Sequence, residues 1–329
     1  MVGGGGTSMA NDNELVSIIA SCYNHEKYVC DCLKSIIAQT YSEIEVLIID
    51  DCSSDNSYEV IKSFKSLLDA RCVNVAILRN DKNQGLTKNL NRLIKMSKGK
   101  YIKLVATDDY LLPNCIESFL KHINTSHKAD VYFSNAIIIS DSDSFDINKK
   151  FNSSNLFYQT RPLDGFNLTN QLCARSFICA PSSFIPRETY IKYGYYDESY
   201  SFEDLPFWLK VSVNGSFSYC EVPTVCYRQL DNSFSHFYGK ENFQKQSKFF
   251  YEKYELITRY KSFCSNESYE IFMNNELEYA VGNCNVGLAR EIKSLCNEQD
   301  VTLSKRVKYK YLLLCLHLFA IMRKIKNNL

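Results

Sequence analysis

The stretch "VSIIASCYNHEKYVCDCLKSIIAQTYSEIEVLIIDD", residues 16–51, decides the fold class. Val16 to Ala20 is a short apolar run that reads as a strand. In "NHEKYVCDCLKSIIAQ", Val29, Leu33, Ile36 and Ile37 recur at i, i+4, i+7 and i+8, one stripe of a helix able to cover a sheet. Glu45 to Ile49 is a second strand, and it stops on Asp50 and Asp51. Strand, helix and strand in that order form a crossover unit, so the pattern predicts a parallel sheet.

The alternation continues outward. "CSSDNSYEVIKSF" supplies Ser, Asp and Asn as cap candidates, with Glu59 three residues after Asn56, and predicts a helix there. Val73 to Leu78 makes a third strand. Leu86, Leu90, Leu93 and Ile94 form a helical stripe, with Gly99 expected as its C-cap. Tyr101 to Val105, the fourth strand, runs into "KLVATDDYLLP", residues 103–113. The second and fourth strands therefore both end in paired aspartates. Ligands of open α/β sheets bind beyond the C-terminal strand ends, so four carboxylates are expected to converge there. Two adjacent Asp can hold a hard divalent cation that a diphosphate completes, whereas one such pair alone reads equally as a turn or cap.

Val131–Phe133 and Ala136–Ile139 read as two further apolar runs, and "SDSDSFDINKKFNSSNLF" as a loop. The segment from about Leu163 to Arg228 holds "CAPSSFIPRETY", "SFEDLPFWLKVSVNG" and the strand "FSYCEVPTVCYR". The last hundred residues have apolar spacing near 3.6 and read as helices. "KRVKYKYLLLCLHLFAIMRKIKNNL" closes the chain. Its apolar centre, Tyr311 to Met322, is too short to span a bilayer, and Lys and Arg flank it. That pattern suits a helix lying on an anionic membrane surface, or one docked on the protein with a basic solvated face.

Composition bounds the partners. Lys and Arg total 38 against 37 Asp and Glu, and a net charge of +1 gives no reason to expect nucleic acid. The 14 cysteines are scattered with no CxxC pair, so they read as reduced thiols in a cytoplasmic protein, with no zinc site expected. "MVGGGGTS" reads as an added leader, residues 1–10, with native sequence from Met9. Its glycines follow no strand and form no phosphate loop.

Three ordered blocks over about residues 14–230 carry a family resemblance: residues 16–57, "NQGLTKNLNRLIKMSKGKYIKLVATDDYLLP" and "FEDLPFWLKVSVNG". In them the chain resembles the family-two inverting glycosyltransferases of bacterial O-antigen and capsule type. The resemblance implies an α/β GT-A fold, a Rossmann-like mixed sheet flanked by helices, with a helical C-terminal extension. The expected division is a transferase domain at 11–235, with a donor half at about 14–140 and an acceptor half at about 160–230, then a helical region at 236–329.

The resemblance also implies roles. Ser21 and Tyr23 would hold a uracil ring, and Asp51 would accept its imide N–H, which cytosine lacks, so the donor would be a UDP-sugar. Asp108 would hold the ribose or share the metal, and Asp109 would bind Mn²⁺ or Mg²⁺ between the phosphates. The usual further Asp is absent at Ala106 or Thr107. Lys88 would contact the diphosphate, or else lie on the exposed face of its helix. Asp204, at a helix start, would be the base that deprotonates the acceptor, with Glu203 orienting it. Arg228 or His236 would stabilise the leaving diphosphate. His25, His122 and His127 read as surface residues, His317 as packing, and Trp208 as core.

The expected reaction moves a hexose, glucose or galactose ahead of N-acetylhexosamine, to a hydroxyl of a lipid-diphosphate-linked saccharide. The enzyme would act at the inner face of the cytoplasmic membrane. A sugar nucleotidyltransferase is the competing enzyme class, but "ASCYNHEKY" lacks the glycine-rich loop a triphosphate needs. A binding module without chemistry is the third reading.

Overall fold

The computed structural model describes residues 13–230, 242–299 and 301–315. The elements are β1 (Val16–Cys22), α1 (Val29–Ile37), β2 (Ile44–Asp50), α2 (Ser57–Ser63), α3 (Lys65–Arg71), β3 (Asn74–Arg79), α4 (Leu86–Met96), β4 (Tyr101–Leu104), β5 (Tyr110–Leu111) and α5 (Cys115–Thr125). They continue with β6 (Val131–Ile139), β7 (Gly165–Phe166), α6 (Thr169–Ala174), β8 (Ser183–Pro186), α7 (Arg187–Tyr193), α8 (Asp204–Ser212), β9 (Ser216–Arg228), α9 (Phe243–Arg259), α10 (Asn266–Gly282) and α11 (Val286–Glu298).

One mixed sheet runs β3-β2-β1-β4-β8-β6-β9-β5, with β7 added on β9. β3, β2, β1 and β4 are parallel, and Val16 stands opposite both Ile44 and Tyr101. β8 runs antiparallel to β4 and β6, β9 parallel to β6, and β5 antiparallel to β9. β1 and β2 are buried nearly throughout, as strands covered on both faces must be, whereas edge strand β3 is only half-buried.

This register gathers the C-terminal ends of β1, β2 and β4 at one edge. Cys22 pairs with Asp50, and the Val105 N–H bonds to the Ile19 carbonyl, so residues 21–24, 50–53 and 105–109 meet there.

Two expectations need correction. Val131–Phe133 and Ala136–Ile139 belong to one strand, β6, whose register on β9 jumps between Ser134 and Ala136. The Asn135 side chain bonds Tyr158 at that point, and this polar residue gave the appearance of two strands. Gly99 is not the cap of α4, which ends at Met96 with Ser97 as its C-cap. A Cβ at Gly99 would lie 2.4 Å from Ser17 Oγ, so the glycine is required by close approach of two backbones.

The chain divides into two compact units. One holds the described residues up to Leu168 together with Phe177–Gln229, and the other holds Thr169–Ser176 and the described residues from Leu230 on. α6, which the sequence places in the acceptor half, thus belongs with the C-terminal helices. In that second unit α6, α9 and α11 contact α10, and Ser265 and Asn285 cap α10 and α11 with side-chain bonds to Ser268 N and Leu288 N. Residues 305–315 are helical there too.

Candidate active site

The second strand's aspartates serve the fold before any ligand. Asp50 is buried, accepts from Ser53 N at 3.0 Å and stands 3.5 Å from Arg79 Nε. Asp51 Oδ1 accepts from Asn80 Nδ2 and Gln84 N at 2.8 Å each, and Oδ2 accepts from Gly85 N at 2.9 Å. These donors hold its pKa below the usual value against the opposing effect of burial, the largest single influence. A carboxylate has about four acceptor positions, so Asp51 commits most of them to the 80–85 loop. The β2 pair thus reaches the edge, with Asp51 largely engaged by the 80–85 loop and Asp50 held beside Ser53 and Arg79.

The loop that Asp51 holds borders a cavity of about 580 Å³ lined by Arg79, Asn80, Asp81, Lys82, Gln84, Lys88, Asn89 and Arg92. Four cations against one carboxylate make it an anion-attracting space of ligand size. Lys88 and Arg92, one turn apart on α4, point to it, so Lys88 is at once exposed and cavity-lining. Behind it Arg92 donates to Asn80 Oδ1, Asn80 donates to Asn89 Oδ1, and Asn89 donates to Ser21 Oγ at 3.2 Å. Asn80 and Asn89 thus connect Asp51 to Ser21. Sequence reading missed both, although Asn89, beside the apolar stripe of α4, is the sign of a buried polar link; Asn80, in the loop after β3, gave no such sign. Tyr23, 47% exposed just past β1, leaves its ring open for stacking.

The second aspartate pair lies across β1. His25 Nδ1 bonds Thr107 Oγ1 at 2.7 Å and stands 4.0 Å from Asp108 Oδ1, so His25 belongs to the site and not to the general surface. His122 is also half-buried, bonded to Ser218 at 2.8 Å, whereas His127 is exposed. Asp108 keeps 20% of its side chain open, while Asp109 is 1% exposed and accepts from Arg228 N at 2.7 Å. Burial first, and the Asp108 charge second, push the Asp109 carboxyl well above the usual carboxylate range. A bound cation would relieve that conflict.

Among the described residues no three His, Cys, Asp or Glu side chains cluster as a metal site. Two carboxylate oxygen donors with substrate phosphates as the remainder nonetheless suit Mg²⁺ or Mn²⁺.

Arg228 corrects another expectation. It is 1% exposed, and its guanidinium donates to the carbonyls of Asp108, Ser140, Asp141 and Asp143. It therefore presents no open face to a leaving diphosphate. His236 and His317 lie outside the described residues.

The third group comes from the start of α8. Asp204 Oδ1 accepts from Leu205 N at 2.7 Å in the free first turn of the helix. Glu203 keeps some open surface but sits deep in the fold, and burial with the neighbouring Asp204 charge raises its pKa to about 8. Trp208 is fully buried against Phe207 and Phe217. Burial first, and more weakly the charges of Asp109 and Asp204, raise the Cys179 thiol. Buried Lys103 fixes the 180–183 turn by donating to the Pro181 and Ser183 carbonyls. A lysine inside an apolar strand was its overlooked sign.

The mixed sheet with its flanking helices has counterparts among solved structures. S. aureus TarS (residues 1–349, in complex with UDP-GlcNAc) superposes with a TM-score of 0.57 at 16% identity, covering 91% of this chain and 79% of that one. The mannosyltransferase PcManGT from Pyrobaculum calidifontis, in complex with GDP-Man and Mn²⁺, gives 0.51 at 11%, covering 95% and 87%. The fold is thus the GT-A glycosyltransferase fold. Residues 17–193, more than half the chain, match the model of glycosyl transferase family 2, and the chain belongs to that family.

Curated relatives include glycosyltransferase GlyG of Streptococcus pneumoniae, 34% identical over 131 residues, 40% of this chain and 42% of GlyG. The Escherichia coli UDP-Glc:alpha-D-GlcNAc-diphosphoundecaprenol beta-1,3-glucosyltransferase WfaP is 32% identical over 128 residues, 39% of this chain and 48% of WfaP. The matched stretch thus spans less than half of either relative.

Proposed function

We propose that the chain is an inverting, metal-dependent hexosyltransferase that takes a UDP-sugar, glucose or galactose ahead of N-acetylhexosamine, and glycosylates a hydroxyl of a lipid-diphosphate-linked saccharide. The observation that carries the reading is the Asp108-Asp109 pair at the C-terminal edge of the sheet, with His25 4.0 Å from Asp108 and with Tyr23 and Asp51 at the ends of the neighbouring strands. The named activity of WfaP and the UDP-GlcNAc bound to TarS support the choice of donor and acceptor class.

In this reading the uracil stacks on Tyr23, and Asp51 contributes its remaining acceptor position and the shape of the 80–85 loop. Lys88 and the cations around it attract the anionic nucleotide. Asp108 and Asp109 would hold Mn²⁺ or Mg²⁺, which when bound neutralises charge on the departing diphosphate. Asp204 takes the proton of the acceptor hydroxyl as its oxygen attacks the anomeric carbon from the face opposite UDP, and one displacement inverts the centre. Glu203, protonated below about pH 8, donates a hydrogen bond to the acceptor or to Asp204.

The test is a panel of UDP-sugars with Mn²⁺ and a lipid-diphosphate-GlcNAc or -GalNAc mimic, scored for product and anomeric configuration. A retained configuration rejects the single displacement, and release of pyrophosphate from UTP and a sugar phosphate reassigns the chain to nucleotidyl transfer.

The tail extends the reading to the membrane. Tyr309, Leu312 and Leu313 are exposed on the 305–315 helix, among Lys305 and Lys308. On its other side Val307 is buried, and Arg306 and Lys310 pair with Glu278 of α10. The helix is therefore docked on α10 and still offers a basic, apolar face to an anionic lipid surface.

A further inference from the structure

We propose that Arg228 is the positioning residue of the Asp108-Asp109 motif, holding the pair in the geometry that receives a divalent cation. The inference rests on the donor-site reading above.

Arg228 ends β9, two residues past Cys226, the partner of the first β5 residue, Tyr110, and it grips both aspartates. Its main-chain N–H donates to Asp109 Oδ1 at 2.7 Å, and its Nε donates to the Asp108 carbonyl at 2.7 Å. Nη1 gathers the carbonyls of Ser140 at 2.9 Å, Asp141 at 3.2 Å and Asp143. Nη2 stands 3.5 Å from Asp31 Oδ2 in the first turn of α1, and the guanidinium lies 5.0 Å from the Tyr28 ring centroid. Tyr28 and Lys27 in turn bind the Asp141 carboxylate, so the 140–143 loop is tied to the same helix start.

Four carbonyls turned toward one point repel one another and need a cation between them. A planar guanidinium with five fixed donors satisfies several at once, which the single ammonium of lysine does not. Residues 108 and 109 lie in a turn of their own, closed by Asp109 N to the Ala106 carbonyl at 3.0 Å. His25 ties the turn to the end of β1 through Thr107, and the hydrogen bonds that reach Asp108 and Asp109 from outside the turn come from Arg228. Partners one shell out from a metal typically set its affinity by about 10–100-fold.

The experiment titrates Mn²⁺ into the full chain with UDP present, by calorimetry and by the Mn²⁺ paramagnetic resonance signal, for wild type, Arg228→Gln, Arg228→Lys and Asp31→Asn. The two Arg228 variants retain the main-chain N–H that faces Asp109 and remove only the guanidinium, whereas Asp31→Asn keeps the guanidinium and removes the charge of one of its partners.

The expected result is Mn²⁺ affinity about 10–100-fold weaker in Arg228→Gln, with kcat recovering at saturating Mn²⁺. Arg228→Lys should fall between that variant and wild type, and Asp31→Asn should lose a few-fold. If Arg228→Gln does not fold, the Lys and Asn variants decide. Wild-type Mn²⁺ affinity in both of them, with only a lowered melting temperature, would overturn the positioning role. A wild-type chain that binds no Mn²⁺ in the presence of UDP rejects the donor-site reading itself.

Discussion

Glu203 and Asp204 are adjacent carboxyls at one helix start, and they lead to two separate measurements. Asp204→Asn removes the base and keeps the shape, so kcat should fall by about 10²–10⁴-fold while calorimetric UDP-sugar affinity stays at the wild-type value. An unchanged kcat would exclude Asp204. Glu203 carries a pKa of about 8 in the fold, above its unfolded value near 4.3. Below the lower value both states are protonated, so its contribution to stability is intact. As pH rises toward 8 the unfolded chain ionises first and stability is lost, the loss being complete once the folded carboxyl ionises. Melting temperatures from pH 5 to 9 should therefore decline in wild type and decline less in Glu203→Gln. At this scale residue types were legible in the sequence but partners were not. Asp51 could be numbered from its motif, yet its bonds to Asn80, Gln84 and Gly85 required a loop some thirty residues away to fold back on it. Arg228 was given to the substrate because a free arginine and one buried among carbonyls look the same in sequence.

At the scale of elements, the 80–85 loop is the most exacting piece. Gly85 caps α4 at φ +88° and ψ 155°, a conformation almost restricted to glycine, although a Cβ there would meet no atom within 4 Å. Gly85→Ala should accordingly destabilise the fold by about 1–3 kcal/mol through backbone strain alone. It should also raise KM for the UDP-sugar, because the Gly85 N–H that holds Asp51 moves with it. Equal melting temperatures and KM in the two proteins would show that the loop adapts freely. Element positions followed from periodicity, since buried parallel strands and amphipathic helices leave opposite patterns. β6 escaped because its irregularity depends on how β9 is registered beside it, a pairing between residues about ninety positions apart.

At the scale of the whole molecule, the tail gives the remaining prediction. A chain ending at Ser304 should partition onto anionic vesicles less than the parent and should keep its turnover of a water-soluble acceptor. Equal partitioning would remove the membrane role. By itself the sequence determined the order of strands and helices, the family, and the residue types offered at the sheet edge, because these depend on local spacing and on short contiguous motifs. Only the tertiary structure decided that α6 joins the C-terminal helices, that His25 stands beside Asp108, and that Arg228 faces inward. It also showed that the 80–85 loop folds back onto Asp51. The physical reason is the same in each case. Burial, hydrogen bonding and charge coupling act through space, and they join residues whose separation along the chain carries no trace of the contact.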